Sequence, residues 1–237
     1  MIDPLRLSRQ VEARVTRGLD RMYWRFRVDR WYGGVATADA SGCNLRCVFC
    51  WSWSHVTRPR GFFISPEEVA ERLSSAALSA GVRRVRVSGG EPTIGRAHLL
   101  RLIELLEGSG LLFILETNGI LIGADRSYAE DLSGFSHLHV RVSLKGCSPE
   151  EFSRLTGAVP EAFRLQLASL ENLARSGASF HPSVVISFST EDSLRGLVSR
   201  LREIDPSLPA ALELEEVILY PPVRERLRRA GLLPEGP

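Results

Sequence analysis

Short apolar segments alternate with amphipathic segments along most of the chain, and this alternation restricts the fold more than any other feature. Two amphipathic segments begin with the same helix-capping pattern, in which Ser65 or Ser148 is followed by a proline and two glutamates. The apolar segments that we predict as strands are residues 34–39, 83–88, 111–115, 137–144, 183–188 and 215–220. Strands and helices in this order predict an α/β fold around a parallel sheet, with the chemistry at the carboxyl ends of the strands.

Length and charge narrow the class of protein. The 237 residues are enough for one large domain. The chain has no run of about 18 apolar residues and no apolar stretch near its first residue, so we expect a cytoplasmic protein without a membrane span. The net charge of +2 gives no general case for nucleic-acid binding, although nucleic acid stays open as a partner. The 30 basic residues include a single lysine, Lys145, which suggests a position that requires a compact ammonium group.

Residues 1–32 precede the first predicted strand and differ from the rest of the chain. Within them, residues 17–32 combine arginines with aromatic side chains. Such a pattern binds nucleic acid or an acidic peptide in some proteins, but more often the aromatic rings pack on a neighbouring core while the arginines stay solvated. We therefore predict a helical and aromatic extension at residues 1–32 that packs on a core domain at residues 33–237.

Three of the four cysteines, Cys43, Cys47 and Cys50, lie within one short segment. A disulfide framework is a poor explanation for so few cysteines in a chain of this size. Three thiolates fit an iron–sulfur cluster in which one iron has no protein ligand, because such clusters normally take four cysteines. A structural zinc site would need a fourth ligand such as His55 or Cys147. A noncatalytic iron–sulfur or zinc module therefore stands as an alternative to an enzyme.

The segment from Cys43 to Cys50, CNLRCVFC, resembles the CxxxCxΦC signature of the radical S-adenosylmethionine (SAM) superfamily. The resemblance implies that Cys43, Cys47 and Cys50 bind a [4Fe–4S] cluster and that Phe49 lies near the adenine of SAM. It also implies that a low-potential donor, ferredoxin or flavodoxin, supplies the electron that cleaves SAM to a 5′-deoxyadenosyl radical, which abstracts hydrogen from a substrate. The fold implied is a partial (β/α)6 barrel, similar to an incomplete TIM barrel.

A glycine segment after the second predicted strand extends the resemblance. Gly89, Gly90, Glu91 and Pro92 match the GGEP segment that recognises the amino group of SAM in the superfamily. Glycines also free the backbone to approach a ligand closely. The match implies that these four residues bind the cofactor, with Glu91 as an acceptor for a cationic group.

Two shorter segments follow the third and fourth predicted strands. Residues 116–119, ETNG, and residues 143–145, SLK, are similar to the DTNG and DLK segments of compact glycyl-radical activating enzymes, such as that of pyruvate formate-lyase. The similarity implies cofactor-binding roles for four residues, and a contact of the lysine with the SAM carboxylate. These residues are Glu116, Asn118, Ser143 and Lys145. The serine replaces an aspartate that helps to bind a monovalent cation in those enzymes, so that cation site is in doubt here.

The substrate is constrained less than the cofactors. The compact core and the ETNG and SLK segments favour a glycine of a glycyl-radical enzyme, which would make the substrate a protein. Modification of RNA or of a small-molecule metabolite is the alternative. Cys147 is a weak candidate for a catalytic hydrogen donor, because a lone cysteine is more often a small buried apolar residue.

Overall fold

A computed structural model of the chain describes residues 1–233, which contain nine strands and eleven helices. The strands are β1 (Thr16–Arg17), β2 (Asp20–Asp29), β3 (Val35–Ala40), β4 (Phe62–Ile64), β5 (Arg84–Gly89), β6 (Leu112–Thr117), β7 (Leu138–Leu144), β8 (Phe180–Val185) and β9 (Glu213–Glu215). The helices are α1 (Pro4–Val15), α2 (Trp53–Thr57), α3 (Pro66–Ala80), α4 (Arg96–Leu105), α5 (Ile120–Ala124), α6 (Arg126–Ser133), α7 (Pro149–Thr156), α8 (Phe163–Ser176), α9 (Glu191–Ile204), α10 (Leu208–Ala211) and α11 (Pro221–Arg229).

One sheet carries the whole arrangement. Strands β3, β5, β6, β7, β8 and β9 are parallel neighbours in that order, and β2 lies antiparallel to β3. Strands β1 and β4 both pair with β2. Within the described range the two ends of the strand order do not pair, so the barrel is open. The predicted α/β fold with a partial barrel is confirmed.

The helices begin where the capping patterns placed them. The Ser65 hydroxyl accepts a hydrogen bond from the amide of Glu68 at 3.2 Å, and the Ser148 hydroxyl accepts one from the amide of Glu151 at 3.3 Å. Each serine satisfies an amide that the first turn of a helix leaves without a partner. Helices α3 and α7 are therefore confirmed at their first residues.

The last two strands lie earlier in the sequence than predicted. Strand β8 covers residues 180–185 rather than 183–188, and β9 covers 213–215 rather than 215–220. The apolar run after β9 made the prediction wrong, because Ile218 and Tyr220 are each 50% exposed outside the sheet. Long-range ion pairs fix the true position: Arg141 of β7 bonds Glu213 and Glu215 at 2.8 and 2.7 Å.

The first 32 residues contain more regular structure than their composition indicates. Asp3 caps helix α1, because its carboxylate accepts hydrogen bonds from the amides of Leu5 and Arg6, and β2 then pairs with β3 along most of its length. Residues 1–32 thus form a helix, and they also contribute a long strand to the sheet that the rest of the chain forms. The division into an extension and a core domain stays a prediction. None of the helices within residues 1–233 is long and apolar enough to cross a bilayer.

Candidate functional site

The cysteine loop, which we define as residues 41–52, leaves the carboxyl end of β3. It runs against the end of α7, where the amides of Arg46 and Val48 donate to the carbonyl oxygens of Thr156 and Leu155 at 3.0 and 2.9 Å. The amide of Leu45 lies 3.4 Å from the Cys43 sulfur. The loop is therefore fixed by its own backbone and by α7 rather than by regular secondary structure.

Burial controls the chemistry of two of the thiols. Burial raises the pKa of Cys47 to about 12, although the nearby ammonium of Lys145 acts in the opposite direction. Burial also raises the pKa of Cys43 well above its ordinary value, and the carboxylate of Glu91 adds to the effect. Buried thiols of this kind become thiolates when a metal cation compensates their charge. The donor set is thus suited to a thiolate-bound metal cluster.

The described residues contain no group of three histidine, cysteine or carboxylate side chains that converge on a single metal ion. In a cluster of several metal atoms each thiolate binds a different atom, so the sulfurs need not converge on one point. Structural zinc requires four ligands around one ion.

Main-chain hydrogen bonds join the glycine segment to the start of the cysteine loop and to the strand before it. The Gly90 amide donates to the Ala40 carbonyl at 2.7 Å, and the Glu91 amide donates to the Gly42 carbonyl at 2.8 Å. A Cβ atom on Gly90 would lie 2.1 Å from the Gly42 oxygen, which is closer than real Cβ contacts allow. Gly89 has a φ of 89°, which also favours glycine. The two glycines are therefore required for the approach of the two segments.

The carboxylate of Glu91 joins the glycine segment to the ETNG segment. It is buried and accepts hydrogen bonds from the Thr93 hydroxyl at 2.6 Å, the Thr117 hydroxyl at 2.7 Å and the Asn118 amide at 2.8 Å. Protein donors thus surround the group for which the sequence predicts a cationic ligand. The role of Glu91 in SAM binding stays a prediction, as does that of the adjacent buried Pro92.

Two polar side chains connect these segments to the cysteines. The Asn118 side-chain amide donates to the Asn44 oxygen at 2.7 Å and lies 3.8 Å from the Cys43 sulfur. The Ser52 hydroxyl donates to the Gly89 carbonyl at 2.6 Å and lies 3.5 Å from the Cys50 sulfur. The sequence motifs predict no role for Ser52 or Asn44. The cysteine loop is consequently bonded to both segments that follow β5 and β6.

The SLK segment closes the other side of the site. The Lys145 ammonium donates to the Ser143 hydroxyl at 2.6 Å, and that hydroxyl lies 3.3 Å from a Glu215 oxygen. Gln166 of α8 accepts a hydrogen bond from the Lys145 amide at 3.1 Å. The lysine therefore stands at the carboxyl end of β7, half-buried and close enough to Cys47 to affect its pKa.

Glu116 lies on the inner face of the sheet in a network of buried charges. Its carboxylate accepts hydrogen bonds from Tyr32 at 2.6 Å, Ser88 at 2.7 Å and Arg86 at 3.0 Å. Burial alone would raise the pKa of Glu116, but the Arg86 charge and the Tyr32 hydroxyl hold that pKa below its usual value. Arg86 and Tyr32 are not among the site residues predicted from the sequence. The arginines that alternate with valines in residues 83–88 were the available signal.

Comparison with known proteins places the chain in a family. The model of the Radical SAM superfamily matches residues 39–201, a range that contains the cysteine loop and the three segments that meet it. The chain belongs to the radical SAM superfamily. Its cofactors are those of the superfamily, a [4Fe–4S] cluster and SAM.

Two curated relatives in this superfamily are named as GTP 3′,8-cyclases. The probable GTP 3′,8-cyclase of Pyrobaculum aerophilum is 30% identical over 179 residues, which are 74% of this chain and 54% of that protein. The GTP 3′,8-cyclase of Rhodopseudomonas palustris is 32% identical over 164 residues, which are 66% of this chain and 45% of that protein. The chain thus spans about half the length of these relatives. Their names do not support the narrower resemblance to glycyl-radical activating enzymes.

Solved structures with bound S-adenosylmethionine share the fold. Streptococcus suis SuiB bound to S-adenosylmethionine has a TM-score of 0.62 at 20% identity, over 80% of this chain and 44% of that chain. The structure titled anSMEcpe with bound AdoMet has a TM-score of 0.58 at 25% identity, over 75% of this chain and 48% of that chain. These matches agree with the α/β fold of the open barrel.

Phe49 and Cys147 occupy different settings within the radical SAM fold. The Phe49 ring stacks on Phe188 with a centroid separation of 6.0 Å, at the carboxyl side of β8. Cys147 is buried, and burial raises the pKa of its thiol. Its amide donates to Glu151 at 2.8 Å. The roles of both residues stay predictions.

Proposed function

We propose that Cys43, Cys47 and Cys50 bind the [4Fe–4S] cluster and that the chain uses SAM to abstract hydrogen from a small-molecule substrate. The cluster supplies one electron, and SAM supplies the 5′-deoxyadenosyl group that removes the hydrogen atom. The remaining work belongs to the protein, which positions the reacting groups and excludes water.

The bonding between loops is the observation that carries this proposal. Asn118 connects the ETNG segment to the start of the cysteine loop, and Ser52 connects its end to the Gly89 carbonyl. A ligand that spans the cysteines and the glycine segment would therefore meet both in a fixed relative position. Fixed positions of this kind are what a reaction between two bound groups requires.

Lys145 and Ser143 support a site for the amino-acid part of SAM. A lysine is a compact charge with a flexible stem, and it suits a single carboxylate where an arginine fork would be too wide. The only lysine of the chain stands beside the cysteine loop, with its ammonium on the Ser143 hydroxyl. We propose that the Lys145 ammonium turns from this hydroxyl to the SAM carboxylate when SAM binds.

The inner face of the sheet favours a polar small molecule as the substrate. Arginines at 86 and 141 and carboxylates at 39 and 116 line it in ion pairs, and charged groups of this kind suit a polar ligand that can bond them better than an apolar one. The names of the curated relatives make GTP the first compound to test. The relatives give no support to a glycyl-radical enzyme as the substrate.

Anaerobic reconstitution of the wild-type chain and of Cys47→Ala tests the cluster. The wild type should bind about four irons per chain and convert SAM to 5′-deoxyadenosine with dithionite, whereas Cys47→Ala should lose both properties. Cys147→Ala is the matched control and should keep its iron. A wild-type chain that binds one zinc and does not cleave SAM would contradict the proposal.

Isotope transfer tests the substrate. GTP deuterated on its ribose carbons should pass deuterium to 5′-deoxyadenosine if GTP is the substrate, and mass spectrometry detects the transfer. Cleavage of SAM without deuterium transfer would exclude GTP, while the proposed cluster and SAM sites would stand.

A further inference from the structure

The cysteine loop is held from the far end of the chain by one side chain, Arg226 of helix α11. Its Nε donates to the Val48 carbonyl at 3.1 Å, and its Nη2 donates to the Cys50 carbonyl. The guanidinium lies over the Trp53 ring, 5.0 Å from the centroid. Arg226 therefore contacts the loop on both sides of Phe49, next to the last of the three cysteines.

A second arginine performs the same task from within the loop. One guanidinium nitrogen of Arg46 donates to the carbonyl oxygens of Cys43 and Leu45 at 2.7 and 2.8 Å. Two guanidiniums thus bond four carbonyl oxygens of one short segment.

The charge of Arg226 has no carboxylate partner within residues 1–233. Its neighbours on α11 differ, because Arg228 and Arg229 both pair with Glu225 at 3.0 and 2.9 Å. The sequence between Asp39 and Glu67, which includes the whole loop, has no acidic residue. Burial lowers the pKa of Arg226, and the Cys50 thiol, beside the carbonyl that Arg226 bonds, acts in the opposite direction.

We propose that Arg226 is a positioning residue for the iron–sulfur cluster. Its hydrogen bonds fix the Cys50 end of the loop, and its positive charge favours the reduced state of the cluster. This inference rests on the proposed role of the three cysteines as cluster ligands. Reduction adds one negative charge to the cluster. A half-buried cation beside the cluster attracts that charge more strongly than the same cation would through bulk water. Arg226 also makes cluster retention depend on the packing of α11.

A redox titration followed by electron paramagnetic resonance tests the charge. Arg226→Gln should shift the midpoint potential of the cluster to a more negative value, while Arg226→Lys should stay close to the wild type because it keeps the charge. Arg229→Gln is the matched control, since that side chain is 76% exposed and pairs with Glu225 on the same helix. A potential of Arg226→Gln equal to that of Arg229→Gln would overturn the proposal.

Hydrogen–deuterium exchange of the iron-free chains provides a readout that needs no cluster. Amides of residues 46–51 should exchange faster in Arg226→Gln than in Arg229→Gln. If Arg226→Gln does not retain iron, this exchange and the potential of Arg226→Lys decide the question. Unchanged exchange, or a potential of Arg226→Lys far from the wild type, would then overturn the inference. A wild-type chain without a four-iron cluster would instead refute the proposed function.

Discussion

The two faces of the central sheet are built from opposite kinds of side chain. The outer face packs under the helices through apolar residues that are almost completely buried. The outer residues include Val85, Val87, Phe113, Leu115, Val140 and Val142. The alternate positions, on the inner face, carry charged side chains of β3, β5, β6 and β7, and each of these bonds an oppositely charged side chain of another strand. They include Asp39, Arg86, Glu116 and Arg141.

The difference separates what holds the fold from what shapes the site. Each buried apolar side chain of the outer face stabilises the fold by about 1.5–3 kcal/mol relative to an exposed one. Buried ion pairs contribute little net stability, because desolvation offsets most of their attraction. The charges of the inner face are therefore better explained by the polar ligand that this face is proposed to receive. A loss of stability caused by a substitution on the inner face should be recoverable by a further substitution there, whereas a cavity on the outer face should not be.

The largest change should come from the outer face. Phe113→Ala should lower the free energy of unfolding by about 4 kcal/mol, because it leaves a cavity under the helices. Urea denaturation measures the loss. Leu112→Ala is the neighbouring control, and it should cost less than about 1 kcal/mol because Leu112 is 39% exposed. Equal losses in the two variants would contradict the assignment of the outer face.

An intermediate change should come from the inner face. Arg86→Met should cost about 3 kcal/mol, because Glu116 loses the cation it bonds at 3.0 Å, and Asp29, which keeps Arg27, loses the arginine it bonds at 2.6 Å. Urea denaturation again measures it. Arg101→Met is the control, since Arg101 is 42% exposed in a surface ion pair that should be worth less than about 1 kcal/mol.

The inner-face loss should be repairable. A double variant that adds Glu116→Gln removes the carboxylate left without its cation, so it should recover most of the stability lost in Arg86→Met. No recovery in this variant would show that the inner face stabilises the fold by packing, as the outer face does.

The smallest change should appear as a pH dependence. The folded chain holds the pKa of Glu116 below its unfolded value, so this group adds stability that is complete above a pH of about 4.3. The contribution is lost as the pH falls through the lower folded pKa. Glu116→Gln should therefore flatten the fall of the unfolding free energy in acid, by on the order of 1 kcal/mol per pH unit. Parallel curves for the two proteins would contradict the prediction.

Local patterns explain why part of this molecule could be predicted from its sequence. The spacing of Cys43, Cys47 and Cys50 and the glycines at 89 and 90 are contiguous motifs, and each follows a strand that its own residues indicate. The caps at Ser65 and Ser148 likewise depend on the next few residues only. These features needed no information about distant parts of the chain.

The features that escaped prediction depend on contacts between distant residues. Strand β9 is short and begins early because Arg141, more than seventy residues away, binds its two glutamates. Tyr32 reaches Glu116 from a segment that composition assigned to an extension. The Arg226 contact spans 176 residues from Cys50. A sequence pattern states which residues are charged but not which of them meet.

The contact of Gly90 with Gly42 has a consequence for how the enzyme can vary. No side chain lies between the glycine segment and the cysteine loop at this contact. The distance between these two proposed cofactor-binding segments is therefore set by backbone atoms alone. Substitutions of neighbouring side chains can alter which substrate binds. They would not change the distance between the proposed cluster and SAM sites, across which the electron would pass. Related enzymes with this backbone contact can therefore change their substrate while the distance for the proposed electron transfer from the cluster to SAM stays the same.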